Sequence, residues 1–352
     1  MTLPDQHCPA NRLLVVCPSW VGDTVMASPT LRALRQLYPK AHITALLRQS
    51  VRPLLEGCPW IDRMVSIRPG KRRVGIVALA RRLAAGKFDT AVLLPNSFRW
   101  ALLTRAAGIP RRIGYDRDGR GFLLTDRLLP RRDAGQFVPV STRDYYLGLA
   151  RYLGAHDPDP TMQLFTRPED DARTRDMLSA AGTNDSDPLV LINPGASYGP
   201  AKIWDPSKFA EVADFCAKTH GATVAASGGP RERAIIEQVL AAARTPIINL
   251  LDLGLDLTLL KSIVRRCSLI VTNDTGPRHI AAAFNVPVVT IFGPTNPAWT
   301  ETDCATERQV SVEVDCGPCQ KKRCPLRGTP EEHICMRRID SAMVCAEVTQ
   351  LL

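Results

Sequence analysis

Ser268-Leu-Ile-Val-Thr-Asn-Asp-Thr-Gly-Pro-Arg-His279 is the stretch on which the fold turns. Leu269–Thr272 is an apolar run of strand length, Asn273 to Gly276 is a loop, and Pro277 stands where a helix opens, a position that tolerates its missing N–H. A strand that runs through a short loop into a helix is half of a βαβ unit. In open sheets of that kind ligands bind beyond the carboxyl ends of the strands. The helix start leaves backbone N–H groups free, and with the helix dipole they form an anion site. Gly276 allows close approach of a ligand and Thr275 adds a hydroxyl donor, so a diphosphate fits here. The plainer alternative is an ordinary helix start capped by Asp or Thr.

The same alternation extends in both directions. Leu189–Ile192, Thr223–Ala226, Ile247–Leu250 and Val288–Phe292 are further buried-strand runs, with helical spacing at Pro206–Thr219, Arg231–Ala243, Leu257–Arg265 and Pro277–Phe284. The first half repeats the plan. Leu13–Cys17, Ile43–Leu47, Met64–Ile67 and Thr90–Leu94 read as strands, and Val74–Ala85, Arg99–Ala107 and Ser141–Leu153 as helices. Ala27, Leu31, Leu34 and Tyr38 mark a helix whose first turn Pro29 should kink. A polar stretch rich in Pro and Asp around Asp157–Asp170 reads as a linker. The expectation is an α/β protein of two Rossmann-like domains, 1–165 and 166–338, with parallel sheets facing across a cleft, and a final helix within 339–352.

Three more loops follow strands and carry chemistry. Asn193-Pro-Gly-Ala-Ser-Tyr-Gly-Pro-Ala-Lys-Ile-Trp204 offers Ser197 and Lys202 to phosphate oxygens, a second wall for the anion site. Pro18-Ser-Trp-Val-Gly-Asp23 places a carboxylate at a helix start, where it can take a proton from a hydroxyl or simply cap the helix. Ser227-Gly-Gly-Pro-Arg-Glu232 offers a carboxylate to ribose hydroxyls, or to the dipole of its own helix.

Charge is uneven. Of the 45 Lys and Arg and 35 Asp and Glu, residues 1–170 hold 26 and 14, a balance of +12, which leaves −2 for the rest. Such a positive field attracts phosphates, acidic sugars or anionic headgroups, when it is not simply a solvated surface. Nucleic acid is not expected, because aromatic residues are only 6% and no basic stripe is interleaved with them. No apolar run reaches the roughly 20 residues of a spanning helix. The N-terminus reads as leading into a first strand rather than as a signal peptide, which places the protein in the cytoplasm. Eleven cysteines, an odd number, argue against a full disulfide framework, and Cys17 and Cys267 read as small buried hydrophobes. Cys316-Gly-Pro-Cys319, Cys324 and Cys335 have the spacing C-x2-C-x4-C-x10-C. Four thiolates so spaced could hold a structural zinc, with His333 as a substitute ligand; free thiols are the other reading.

Taken in order, Trp20-Val-Gly-Asp23, Pro194 to Trp204, Asn273 to His279 and Phe292-Gly-Pro-Thr-Asn296 resemble the bacterial lipopolysaccharide heptosyltransferases of glycosyltransferase family 9, and within them the heptosyltransferase II group. The resemblance spans nearly the whole chain. It implies the GT-B fold, with the final helix packed back on the N-terminal domain. It also implies an inverting transfer of L-glycero-D-manno-heptose from ADP-heptose to a lipid-linked, anionic inner-core acceptor, with the enzyme peripheral at the cytoplasmic face of the inner membrane. Carried over, Asp23 is the base, and Lys202 assists catalysis and the donor phosphates with Ser197. Asp274, Thr275, Gly276, Pro277 and His279 line the donor, and Glu232 takes the ribose. Arg68, Arg72, Arg117, Arg120 and Arg143 are the candidates for the acceptor's acidic groups. No cofactor is expected for the chemistry. A GT-B enzyme for another nucleotide sugar and a non-catalytic nucleotide-binding protein are the alternatives.

Overall fold

A computed structural model describes residues 10–67, 76–184 and 186–352. The chain forms two compact units, Met1–Phe165 with Ala298–Glu301, and Thr166–Pro297 with Thr302–Leu352.

The first unit runs β1 (Arg12–Val16), α1 (Val21–Met26), α2 (Ser28–Leu37), β2 (His42–Arg48), α3 (Arg52–Leu55), β3 (Arg63–Ile67), α4 (Ile76–Ala84), β4 (Thr90–Leu93), α5 (Phe98–Ala106), β5 (Arg111–Tyr115), β6 (Asp126–Leu128), a short hairpin of β7 (Arg132–Asp133) and β8 (Gln136–Phe137), and α6 (Thr142–Tyr152). Its six-stranded sheet has the order β3-β2-β1-β4-β5-β6, parallel throughout. Leu13 to Val16 are fully buried, as a central strand covered on both faces must be. Pro29 ends the first helical segment rather than kinking one long helix. The helix is interrupted at Ala27, and Pro29 sits in the first turn of α2, a position that tolerates its missing N–H. Ala298–Glu301 is held by Ser141 Oγ and Thr142 Oγ1, which donate to the carbonyls of Glu301 and Trp299, each at 3.0 Å.

The second unit repeats the plan with α7 (Pro168–Ala180), β9 (Leu189–Asn193), α8 (Pro206–His220), β10 (Thr223–Ala226), α9 (Arg233–Ala242), β11 (Ile247–Asn249), α10 (Leu257–Arg266), β12 (Leu269–Asn273), α11 (Gly276–Ala283), β13 (Val288–Ile291), β14 (Glu307–Val310), α12 (Ile334–Arg337) and α13 (Ser341–Leu351). The order β11-β10-β9-β12-β13-β14 is again parallel throughout. In both sheets the strand order reverses direction between the first and fourth strands. Loops after those strands diverge and open a crevice where a ligand sits. Asp23 follows β1, and the two candidate phosphate loops follow β9 and β12.

The closing helix differs from expectation. α13 packs on α8 and on β13 and β14, and Val344 and Val348 join the core of the second unit beside Ile339 and Met336. Fully buried Trp204 ties this end down by donating its Nε1–H to the Ile339 carbonyl at 3.0 Å. The resemblance placed this helix against the first domain; its own apolar face is spent on the second.

Candidate active site

The donor side is built by register. Asn193, the last residue of β9, lies opposite Thr272, so the loops that follow β9 and β12 start side by side. Asn273, fully buried, donates to the carbonyls of Pro194 and Gly195 at 2.8 and 3.3 Å and locks one loop to the other. Thr275 stands at the start of α11 without a side-chain cap on the first turn. The amides of that turn are therefore left to a ligand, and the helix dipole favours an anion there. Of the two readings of this segment, the capped helix is the one the side chains do not make.

Lys202 reaches this point from the facing loop. It is nearly buried, and its Nζ donates to Asp274 Oδ2 at 2.5 Å and to the Asp274 carbonyl at 2.9 Å. Asp274 also accepts from Thr295 Oγ1 at 2.9 Å and from Arg278 Nη1 at 3.2 Å. Burial alone would raise its carboxyl pKa, but the Lys202 and Arg278 cations overcome it and hold the group at about 2. Fully buried Arg278 turns its other edge to Glu307, Nε to Oε1 at 2.5 Å and Nη2 to Oε2 at 3.1 Å, and Thr290 and Thr302 also donate to that carboxylate. Sequence reading missed Glu307 and Thr295. His279 is buried, and its imidazole is held neutral, down at about 3, by burial and the neighbouring Arg278.

Glu232 closes the other end of the site. Its carboxylate accepts from the Gly229 amide at 2.7 Å and lies where a Cβ on Gly195 would come within 2.2 Å of it. Glycine at 195 is thus what lets the carboxylate reach the phosphate loop. Ser197 is exposed on the same loop. The Cys-rich segment supports this loop from outside. The Ala201 amide donates to the Lys322 carbonyl at 3.1 Å, and Tyr198 Oη to the Gln320 carbonyl at 3.0 Å. Cys316, Cys319, Cys324 and Cys335 are free thiols; burial raises Cys335, as do its three neighbours. Among the described residues no group of three or more His, Cys, Asp or Glu side chains is arranged to hold a metal ion.

In the first unit Asp23 lies in the first turn of α1, which starts at Val21 without a side-chain cap. Burial pushes its carboxyl up to about 6, and no cation among the described residues pulls it back. It shares the surroundings of the buried Tyr146. A carboxyl that titrates near the working pH is suited to take a proton from a hydroxyl. The acceptor candidates fare unevenly. Arg117 is half-buried, its guanidinium 4.0 Å over the Phe137 ring. Arg120 is a correction: fully buried, it donates to the carbonyls of Tyr115 and Pro95 and to Asn96 Oδ1 and so ties the ends of β4 and β5 together. Arg143 is another, since it is buried beside Asp144 at 3.0 Å. Arg120 is held inside by its bonds to the carbonyls. Arg68 and Arg72 lie outside the described residues.

Comparison with known proteins identifies the family. The profile of Glycosyltransferase family 9 (heptosyltransferase) matches residues 76–329. Lipopolysaccharide heptosyltransferase 2 of Escherichia coli is 32% identical over 82% of this chain and 84% of its own. Lipooligosaccharide heptosyltransferase 2 of Haemophilus ducreyi is 30% identical over 82% and 85%. The solved structure of E. coli ADP-heptose lps heptosyltransferase II superposes with a TM-score of 0.80 at 28% identity, over 97% of this chain and 98% of that one. A family 9 glycosyltransferase of Veillonella parvula shares the fold at a TM-score of 0.82. The two parallel sheets are those of the GT-B fold, and neither alternative to the heptosyltransferase reading is favoured. The chain belongs to glycosyltransferase family 9, the heptosyltransferases.

Proposed function

We propose that the protein transfers L-glycero-D-manno-heptose from ADP-heptose to the inner core of a lipopolysaccharide acceptor, with inversion at the anomeric carbon. The observation that carries this is the Lys202 ammonium fixed over Asp274 at the uncapped first turn of α11. It is a site built for a diphosphate that gains charge as it leaves. Asp23 takes the proton of the acceptor hydroxyl as that oxygen bonds the anomeric carbon. The bond from that carbon to the diphosphate breaks, and ADP departs with the electron pair. Lys202, the first-turn amides of α11 and the Thr275 hydroxyl meet the growing phosphate charge, where aligned donors lower the barrier. Glu232 takes the ribose hydroxyls, and neutral His279 remains an uncharged hydrogen-bonding partner of the donor. Arg117 is the described candidate for the acidic groups of the acceptor. The acceptor is lipid-linked and the enzyme works at a membrane surface from the cytoplasmic side. No described helix is long and apolar enough to cross a membrane.

Incubation with ADP-heptose and defined inner-core acceptors, read by mass spectrometry, tests the reading. One added heptose is expected, with no transfer from UDP- or GDP-sugars; the reverse preference would refute the donor. The same reading assigns a structural zinc to Cys316, Cys319, Cys324 and Cys335. From 311 to 335 no side chain is buried, so the segment has no core of its own and gains most from a metal staple. Binding would draw the four thiols inward from where they stand. Elemental analysis should find one zinc per chain, and a metal-free, fully folded protein removes the ion from the reading.

A further inference from the structure

The first unit leaves large apolar side chains in water, and among the described residues four of the five gather at one edge of the sheet. Trp20 is 56% exposed, Phe98 42%, Phe122 68% and Leu129 76%. Each comes soon after the carboxyl end of a parallel strand: Trp20 after β1, Phe98 after β4, Phe122 after β5 and Leu129 directly after β6. Two of the rings, Phe98 and Phe122, lie 6.0 Å apart. Arg120 anchors the start of the Phe122 turn at this edge, since its buried guanidinium bonds the Tyr115 and Pro95 carbonyls at the ends of β5 and β4.

The charge around these side chains is predominantly positive. Between 98 and 137 the exposed ionic residues are Arg99, Arg105, Arg127, Arg131 and Arg132, against Asp118 and Asp133. A surface that only needed solubility, or only bound a soluble polyanion, would have no use for Phe and Leu held out among the arginines. The combination suits a lipid interface. There apolar side chains enter the boundary between headgroups and acyl chains while guanidinium groups pair with lipid phosphates. Apolar patches rimmed by polar groups mark interaction sites more generally.

We propose that this edge, with Phe98, Phe122 and Leu129 at its centre and Arg99, Arg127 and Arg131 around them, docks on the surface of an anionic phospholipid bilayer. The proposal rests on the reading that the acceptor is lipid-linked, and it explains the position of the patch. An acceptor whose lipid stays in the bilayer must bring its hydroxyl to Asp23, which follows β1. β6 is three strands away from β1 in the sheet, about 14 Å at the usual strand spacing. Such a span is within reach of a short saccharide, so membrane contact and proton acceptor belong on one edge.

Sedimentation of the full chain with vesicles of phosphatidylethanolamine and phosphatidylglycerol, compared with phosphatidylcholine alone, tests the proposal. The wild type should bind the anionic vesicles and leave the neutral ones. The exposed pair Phe122→Ser/Leu129→Ser should lose at least about tenfold in vesicle affinity, and so should Arg127→Glu/Arg131→Glu. Both should keep the wild-type rate on a delipidated, water-soluble acceptor. A wild type that ignores anionic vesicles overturns the proposal, as does binding that survives loss of Phe122 and Leu129. Binding lost only with the arginines would mark a soluble-polyanion surface and overturns it too. If the wild type fails on the soluble acceptor, it is the heptosyl-transfer reading that falls; the vesicle result still decides the docking surface.

Discussion

Two aspartates stand beside the reversal of strand order in their own units, on opposite sides of it, and are driven in opposite directions. Asp23 follows the first strand of one sheet and Asp274 the fourth strand of the other, each at the point where the strand order reverses. Asp274 is buried among donors, with Lys202, Arg278 and Thr295 on its two oxygens, and stays ionised down to about 2. Asp23 is given burial without a cation and rises to about 6. Each fold unit offers a loop beside the reversal of strand order; the neighbours decide whether a carboxylate there is a fixed anion that orients a lysine or a group poised to exchange a proton. Environments that push two carboxyls apart assign their roles.

The sharpest way to break the contrast is Asp23→Asn. It keeps the shape and removes the basic group, so transfer should fall by about 10²–10⁴-fold while the affinity for ADP, measured by calorimetry, stays at the wild-type value. In the wild type, kcat/KM should drop about tenfold for each pH unit below about 6, because only the ionised carboxylate accepts a proton. A flat acidic limb, or an Asp23→Asn enzyme of full activity, moves the base elsewhere.

Next in size is Lys202→Met. Asp274 keeps Arg278 and Thr295 after the substitution, so the fold should survive and the loss should fall on the departing diphosphate. Removal of one such donor typically costs about 10²–10³ in kcat. ADP affinity should weaken with it, unlike in the Asp23 variant. If ADP binding is unmoved, Lys202 serves Asp274 rather than the donor, and the two aspartates differ only in structure.

The parts of this contrast were unequally legible in the sequence. Leu13–Val16 and Leu189–Ile192 are apolar runs that only a strand covered on both faces would need, and the loops behind them announced Asp23 and Lys202. Asp274 and Thr275 follow from the strand-to-helix pattern around them. Glu307, however, lies 29 residues from Arg278, in an edge strand whose sequence, Glu-Arg-Gln-Val, carries no apolar signal. For the same reason β5, which opens with Arg111 and Arg112, is absent from the strands that the sequence suggests. A charge count cannot tell an arginine spent on backbone carbonyls, as Arg120 is, from one offered to a ligand. Nor does the apolar face of α13 name the surface that it covers. Val344 and Val348 predict burial, and only the tertiary structure shows that α8 and the second sheet receive them.

The smallest effect is the one that separates the two aspartates in stability rather than in rate. A carboxyl whose folded pKa lies above its usual value costs the folded state free energy whenever it is ionised. For Asp23 that cost is absent below pH 4, where both folded and unfolded chains hold the proton. It grows between about 4 and 6 and is complete above 6. The full shift would correspond to about 3 kcal/mol, and the partial exposure of the side chain reduces this to roughly 1–2 kcal/mol. Asp23→Asn should therefore be more stable than the wild type to urea at pH 7.5 and equal to it at pH 4. Asp274 has the opposite sign. Its folded pKa is depressed, so it stabilises the fold above about 4 and loses that contribution only as the pH falls towards 2. Asp274→Asn should thus be the less stable variant at pH 7.5. If both substitutions shift the urea midpoint in the same direction at neutral pH, the two carboxyls do not sit in opposed electrostatic environments, and the division of labour drawn from them fails even if both prove essential for transfer.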